Sequence, residues 1–267
     1  MSGGGYGPAG RARLKRFAKL HQKKYRDREK LFLAEGLRTV DELLRHLPEK
    51  DDLVALFLEP RMLSSLETSA LPADRIFLLD GISAGRLAGT TTSQGVVGVF
   101  RQQPGCGLER LLGVEQGRSL VLALDDVQDP GNVGTIVRTA SWFGASALVS
   151  GPGCADRYNA KAVRASAGSV FCLPHHASGD LAADLRALRS SGYRIVCSCL
   201  HGDDVRLSGK LPEKAVLVVG NEARGIGEPL LDMADLLVTI PHAGADPGVE
   251  SLNAAVSAAI LMSVFAL

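Results

Sequence analysis

Residues 120–140 read LVLALDDVQDPGNVGTIVRTA, and this stretch decides the class of fold. An apolar, partly β-branched run from Leu120 to Leu124 predicts a strand buried on both faces. Asp125 to Pro130 is turn chemistry, and the pattern after it predicts a helix beginning around Asn132 and running to about residue 143. A strand that gives way directly to a helix is the repeating unit of α/β folds with parallel sheets. Asn132 and Arg138 stand six residues apart on that helix. Both are costly at a well-packed junction unless something polar is held there, and a guanidinium fork suits a phosphate or a planar anion. The plainer alternative is that Asn132 caps the helix and Arg138 lies in solvent.

Two further segments fall at similar junctions. Val218-Val219-Gly220-Asn221-Glu222-Ala223-Arg224-Gly225-Ile226 follows an apolar strand, and Ile240-Pro241-His242 leads through a loop to Glu250-Ser251-Leu252-Asn253-Ala254. Together the three resemble the SpoU (TrmH-type) branch of the SPOUT RNA methyltransferases. There the first motif reads D-P-x-N-x-G-x-x-x-R-T-A, the second is a glycine followed by x-E-x-x-G, and the third is S-L-N before a final helix. Three separated motifs in the right order are far more specific than one short pattern. The resemblance covers residues 118 to 267.

Outside the motifs the composition agrees with such a fold. Hydrophobic residues make up 46% of the 267 residues and aromatics only 5%, so the core is built from Ala, Val, Leu and Ile, as in helix-covered parallel sheets. The net charge of +1 conceals a strong asymmetry. Between Arg11 and Lys30 there are ten basic residues against two acids, Asp27 and Glu29. Such a block supplies sequence-independent attraction for phosphates, or is a solvated helix face.

The five cysteines are odd in number and lack a framework spacing, which predicts reduced thiols in a cytoplasmic protein. Cys197 and Cys199 alternate on one strand face beside His201, and without a second ligand cluster they predict packing rather than a metal site. The glycine-rich start reads as a floppy tail rather than a signal peptide, and the longest apolar stretch, Ala254 to Leu267, is expected to be too short to span a membrane.

Four regions follow: a flexible tail over 1–10, a small α/β domain over 11–100, a Pro- and Gly-broken linker over 101–117, and a doubly wound α/β domain over 118–267. In the last, strands near 119–124, 146–150, 170–173, 193–198, 215–219 and 236–240 alternate with helices. The small domain also resembles the RNA substrate-binding domain that precedes many SpoU catalytic domains, itself similar to ribosomal proteins of the kink-turn-binding type. The polar loop Thr90 to Gln94 fits an RNA-facing role.

The resemblance implies a trefoil-knotted catalytic domain, a homodimer with the terminal helix in its interface, and transfer of a methyl group from S-adenosylmethionine to a ribose 2′-hydroxyl, in ribosomal RNA rather than tRNA. Arg138 is then implied to bind the neighbouring phosphate and promote deprotonation. Asn132 and Glu222 would position the reacting groups, Ser251 and Asn253 would fix the ribose and the loop, and Gly220, Ile240 and Leu252 would touch the cofactor. Arg11, Arg13, Lys15, Arg16, Lys23, Lys24, Gln94, Lys161 and Arg164 are implied RNA contacts. Glu222 and Arg224 are also spaced for a surface ion pair. The loop from Pro241 to Ser251 is longer than is usual in the family and has His242 where methionine is common, so the cofactor loop is expected to be reshaped. Rival readings are an RNA-binding assembly protein without catalysis and a dinucleotide enzyme. Against the latter, no Gly-x-Gly-x-x-Gly opens a helix after the first strand.

Overall fold

The computed structural model describes residues 6–89, 93–112, 117–206, 212–242, 248 and 251–266, in two compact units. Residues 1–5 of the expected tail, Thr90 to Thr92, and most of the loop between Pro241 and Ser251 lie outside the described residues.

The first unit comprises residues 1–103 and 156–172. Its strands are β1 (Gly7–Pro8), β2 (Leu31–Glu35), β3 (Leu53–Leu58), β4 (Ile76–Leu78) and β5 (Val96–Arg101), and its helices are α1 (Arg11–Ala18), α2 (Lys23–Glu29), α3 (Leu37–Arg45) and α4 (Gly81–Ala88). The sheet order is β1-β4-β3-β5-β2, with β5 antiparallel to both neighbours. Gly7 and Pro8 pair with Phe77 and Leu78, so that part of the expected tail is an edge strand, a position proline tolerates. Side chains alternate across the sheet: Leu31 and Leu33 pack with Phe17 of α1 and Leu87 of α4, while Phe32 and Ala34 pack with Val40 and Leu43 of α3.

Segment 156–172 departs from the expected division of the chain. Tyr158 and Phe171 complete an aromatic cluster with Phe32 and Phe100, with centroids 4.9 Å apart for Phe32 and Tyr158 and 6.0 Å for Phe100 and Phe171. The segment's charged anchor is Arg26. Only 3% exposed, it pairs with Asp156 at 2.7 Å and donates from Nη1 to the carbonyls of Leu20 and His21 at 2.8 Å. One of the ten basic residues is therefore a core group, not part of a solvated face.

The second unit comprises residues 104–155 and 173–267. It contains α5 (Leu108–Leu112), β6 (Ser119–Leu124), α6 (Pro130–Trp142), β7 (Ala147–Ser150), β8 (His175–Ala177), α8 (Leu181–Ser190), β9 (Arg194–Asp204), β10 (Lys214–Val219), α9 (Glu228–Leu231), β11 (Leu236–Thr239) and α10 (Ala254–Ala266); α7 (Ala160–Ser166) belongs to the first. The six strands are all parallel in the order β11-β9-β10-β6-β7-β8. One face packs on α6 and α10 through Leu122, Leu217, Ile136, Val137, Ala258 and Met262, and the other on α8 and α9 through Val121, Val218, Leu185 and Leu230.

The edge strand differs from expectation. The run at 170–173 is not a strand: Val170 and Phe171 fill the first unit's core from a 3-10 turn, and His175 to Ala177 form β8 instead. The order reverses between β6 and β10, so their carboxyl ends open a crevice of the kind where α/β sheets bind ligands. No helix among the described residues is long and apolar enough to cross a membrane.

Replacing Asp156 with Ala strands the buried Arg26 guanidinium. The free energy of unfolding is expected to fall by about 3 kcal/mol, the usual cost of breaking a buried ion pair on one side. Urea denaturation checks this, and a paired Arg26→Met, Asp156→Leu variant should recover most of the loss.

Candidate active site

Three loops leave the carboxyl ends of β6, β10 and β11. The first is closed by Asp129, whose Oδ1 accepts from the Gly131 amide at 2.8 Å, and Pro130 opens α6 with a preset φ. The helix therefore starts two residues before Asn132, and Asp129 is the cap. Asn132 is left with a free amide in the first turn. It donates from Nδ2 to Glu222 Oε1 and accepts at Oδ1 from Asn253 Nδ2 at 2.9 Å. Asn253 in turn accepts from the amides of Ala255 and Val256 at 2.9 and 3.3 Å, holding the first turn of α10. Asn132, Glu222 and Asn253 thus form one hydrogen-bonded chain drawn from three motifs.

Beside this chain lies a cleft of about 550 Å³. Gly220, Glu222, Ile240, Ser251 and Leu252 all line it, as does the stretch from Ser198 to His201. That stretch is not apparent from sequence pattern. β9 pairs Cys197 with Leu237 and then Asp203 with Val238, so the five residues between bulge out of the ladder over the cleft. A Cβ on Gly220 would lie 2.4 Å from the Gly225 backbone, so its close approach is to its own loop. Cys199 lines the cleft and Cys197 is buried among Leu185, Leu230 and Ile195.

Arg138 is not part of the chain. It is exposed on α6, nearly two turns beyond Asn132, and makes no hydrogen bond or ion pair among the described residues. Arg224 pairs with Asp126, not with Glu222. Of the basic residues, Arg11, Arg13, Lys15, Arg16, Lys23, Lys24 and Lys161 are exposed. Arg16 nonetheless bonds Glu29 at 2.8 Å, Lys23 bonds Asp27 at 2.6 Å, Arg13 lies 4.0 Å over the Phe77 ring and Arg164 bonds Glu35 at 3.0 Å. Gln94 is exposed and its side chain lies over Gly36, where a Cβ would come within 2.5 Å of Oε1.

The model of the SpoU rRNA Methylase family matches residues 119–263, and that of the MRM3-like substrate binding domain matches residues 11–98. The chain belongs to the SpoU rRNA methylase family. This SpoU-family chain is 33% identical over 250 residues to the 23S rRNA (guanosine(2553)-2′-O)-methyltransferase RlmP of Bacillus subtilis, covering 94% of each. Among solved structures, a TrmH-family RNA methyltransferase from Porphyromonas gingivalis superposes with a TM-score of 0.81 at 32% identity, covering 96% of this chain and 98% of that one. An AdoMet-bound rRNA methyltransferase from Sinorhizobium meliloti gives 0.80 at 30% identity, covering 94% and 93%.

Burial pushes the Cys154 thiol from its ordinary 9.0 up to about 11 and that of Cys197 up to about 12, so both are protonated, unreactive packing groups near neutrality. The unfolded chain releases these protons above pH 9 and the folded one does not. Their contribution is intact below pH 9 and is lost as pH rises toward 11 and 12. Unfolding free energy should fall by about 1.4 kcal/mol per pH unit for each thiol, and Cys154→Ala should make alkaline denaturation shallower.

Asn132 provides a sharper test of the site. Asn132→Asp keeps the acceptor for Asn253 but sets two carboxylates against each other, whereas Asn132→Ala removes both bonds. The Asp variant should be less stable than the Ala variant by about 1 kcal/mol at pH 7 in low salt, with the gap narrowing as salt is raised from about 0.01 to 1 M and the like charges are screened. Urea melts of the two proteins across this range check it.

Proposed function

We propose that this chain is an S-adenosylmethionine-dependent methyltransferase acting on a ribose 2′-hydroxyl of ribosomal RNA. The observation that carries this reading is the Asn253–Asn132–Glu222 chain beside the cleft, in a member of this family. The cleft has the size of small-molecule sites in general. Ile240, Leu252 and Ile226 offer apolar walls and the 220–225 backbone offers polar groups, a donor set suited to an adenosyl group. When bound, that cofactor supplies an electrophilic methyl group.

The protein's own residues do the rest. A ribose hydroxyl is a poor nucleophile at neutral pH, so it has to be oriented and helped to lose its proton. Glu222 and Asn132 orient the reacting groups, Ser251 and Asn253 hold the ribose and the loop, and Arg138 binds the adjoining phosphate as a planar fork. Arg138 shares the exposed stripe of α6 with Thr135 and Trp142, the latter 84% exposed, and Val256 and Ile260 are exposed on α10, which packs on α6. A homodimer through these helices covers that apolar surface and carries Arg138 to the partner's side of the interface. The basic side of α1, with Lys23, Lys24, Gln94, Lys161 and Arg164, gathers RNA, and the chain after β11 threads the family's trefoil knot. The setting is cytoplasmic.

Labelled S-adenosylmethionine incubated with unmodified 23S, 16S and tRNA tests the reading. Label is expected in the ribose of one rRNA, falling about 100-fold for Asn132→Ala and for Arg138→Ala. Label confined to tRNA would overturn the substrate, and absence of both transfer and cofactor binding would overturn the activity. Sedimentation of Trp142→Glu should show a monomer where the parent is a dimer.

A further inference from the structure

The turn after β6 contains a residue whose backbone and side chain are both unusual for its type. Asp126 has a φ of 56°, in the left-handed region that favours glycine but that aspartate tolerates better than most residues. Its carbonyl accepts from Asn221 Nδ2 at 2.9 Å, and its Oδ2 accepts from the same amide at 3.2 Å and from Arg224 Nη2. Gln128 Nε2 donates to both carboxylate oxygens, at 3.0 and 3.1 Å. Room for this carboxylate exists because residue 153 is glycine: a Cβ there would fall 2.2 Å from Asp126 Oδ1.

Asn221 divides its amide in two. Its Nδ2 is held by Asp126, while its Oδ1 accepts from the amides of Ala223 and Arg224 at 2.9 and 3.1 Å, shaping the turn that Asn221 and Gly225 close by a reciprocal backbone pair. Asp125 fastens the far end, its Oδ2 accepting from the Gly227 amide at 2.8 Å. Glu222 sits inside the turn so defined. Its own contact with α6 is the Asn132 side-chain amide, and the remainder of its position is inherited from the residues on either side.

We propose that Asp126 is a positioning residue for Glu222, clamping the 220–227 turn through Asn221 and Arg224 so that the carboxylate meets Asn132 at the edge of the cleft. The proposal rests on the methyl-transfer reading for its effect on rate, though not for the clamp itself. Arg224, exposed and cationic next to the cleft, is then a strut of the turn and not an RNA contact. The carboxylate holds Arg224 and shares the Asn221 amide with its own carbonyl, so losing it loosens the turn, and losing the Asn221 side chain loosens the same turn.

Three single variants of the full chain and one double variant test this. Asp126→Gly suits the left-handed backbone and keeps the carbonyl acceptor, so it folds, but it removes the carboxylate. Asp126→Asn keeps a side-chain acceptor for Asn221 and loses the charge facing Arg224. Asn221→Ala removes the next link.

With saturating S-adenosylmethionine and the unmodified form of the rRNA that accepts label, Asp126→Gly should lower kcat about tenfold at unchanged KM for RNA and an unchanged or raised thermal midpoint, a split that a loss of RNA binding or of stability does not give. Asp126→Asn should retain most of the rate, and the Asp126→Gly, Asn221→Ala double variant should be no slower than the worse single one. Amide hydrogen exchange over residues 221–227 should quicken in Asp126→Gly. Wild-type kcat with unchanged exchange would overturn the clamp. If the parent protein methylates no RNA, the activity reading falls and exchange alone decides: faster exchange in the variant upholds the clamp, and equal protection rejects it.

Discussion

A primary amide has one end that donates and one that accepts, and in this protein the two ends of Asn132 are claimed by different loops. Glu222 can only accept and the Asn253 amide nitrogen can only donate, so turning Asn132 over would set like against like at both contacts. The three loops therefore share one mutually satisfied arrangement. What makes such a demand achievable is the sheet below: β6, β10 and β11 run parallel and deliver their loops to the same edge, with β6 and β10 adjacent in register along six residue pairs. Rigid strands beneath and a directional amide above leave the cleft little freedom of shape.

Much of this was legible in the residues. Doubly buried parallel strands read as unbroken apolar runs, and β6 and β10 begin and end within a residue of where their Val, Leu and Ala stretches place them. The motif residues fall at the junctions that the pattern marks: Gly220 and Glu222 in the turn after β10, Asn132 in the first turn of α6 and Asn253 directly before α10. Hydrophobic pattern, however, says that a face is buried without saying against what. Segment 156–172 has the amphipathic helix and apolar run of any α/β repeat, and nothing in its period reveals that Tyr158 and Phe171 pack against Phe32 and Phe100. The apolar run at 170–173 read as a strand for the same reason, while the more polar His175 to Ala177 took the sheet edge.

Charge was misleading in a related way. Counting cations between Arg11 and Lys30 treats them alike, yet Arg26 is desolvated and fully engaged while Arg11 and Lys15 face water. Only burial separates a structural guanidinium from one available to a ligand, and burial depends on contacts more than a hundred residues away in sequence. Arg224 teaches the same lesson at the cleft: its nearest acidic residue in sequence, Glu222, bonds Asn132, and its actual partner is Asp126.

The split composition of the first unit also bears on how the chain is made. A ribosome releases the N-terminal strands early, but the partner of Arg26 and two rings of the aromatic cluster are encoded after β6, α6 and β7 have already emerged. At about 5–20 residues per second, the nascent module waits several seconds with an open apolar face and an unneutralised guanidinium. It is thus not a detachable cassette: a gene fragment ending at residue 103 would encode a module missing part of its own interior, and shuffling the two units between relatives requires two crossovers within the catalytic half.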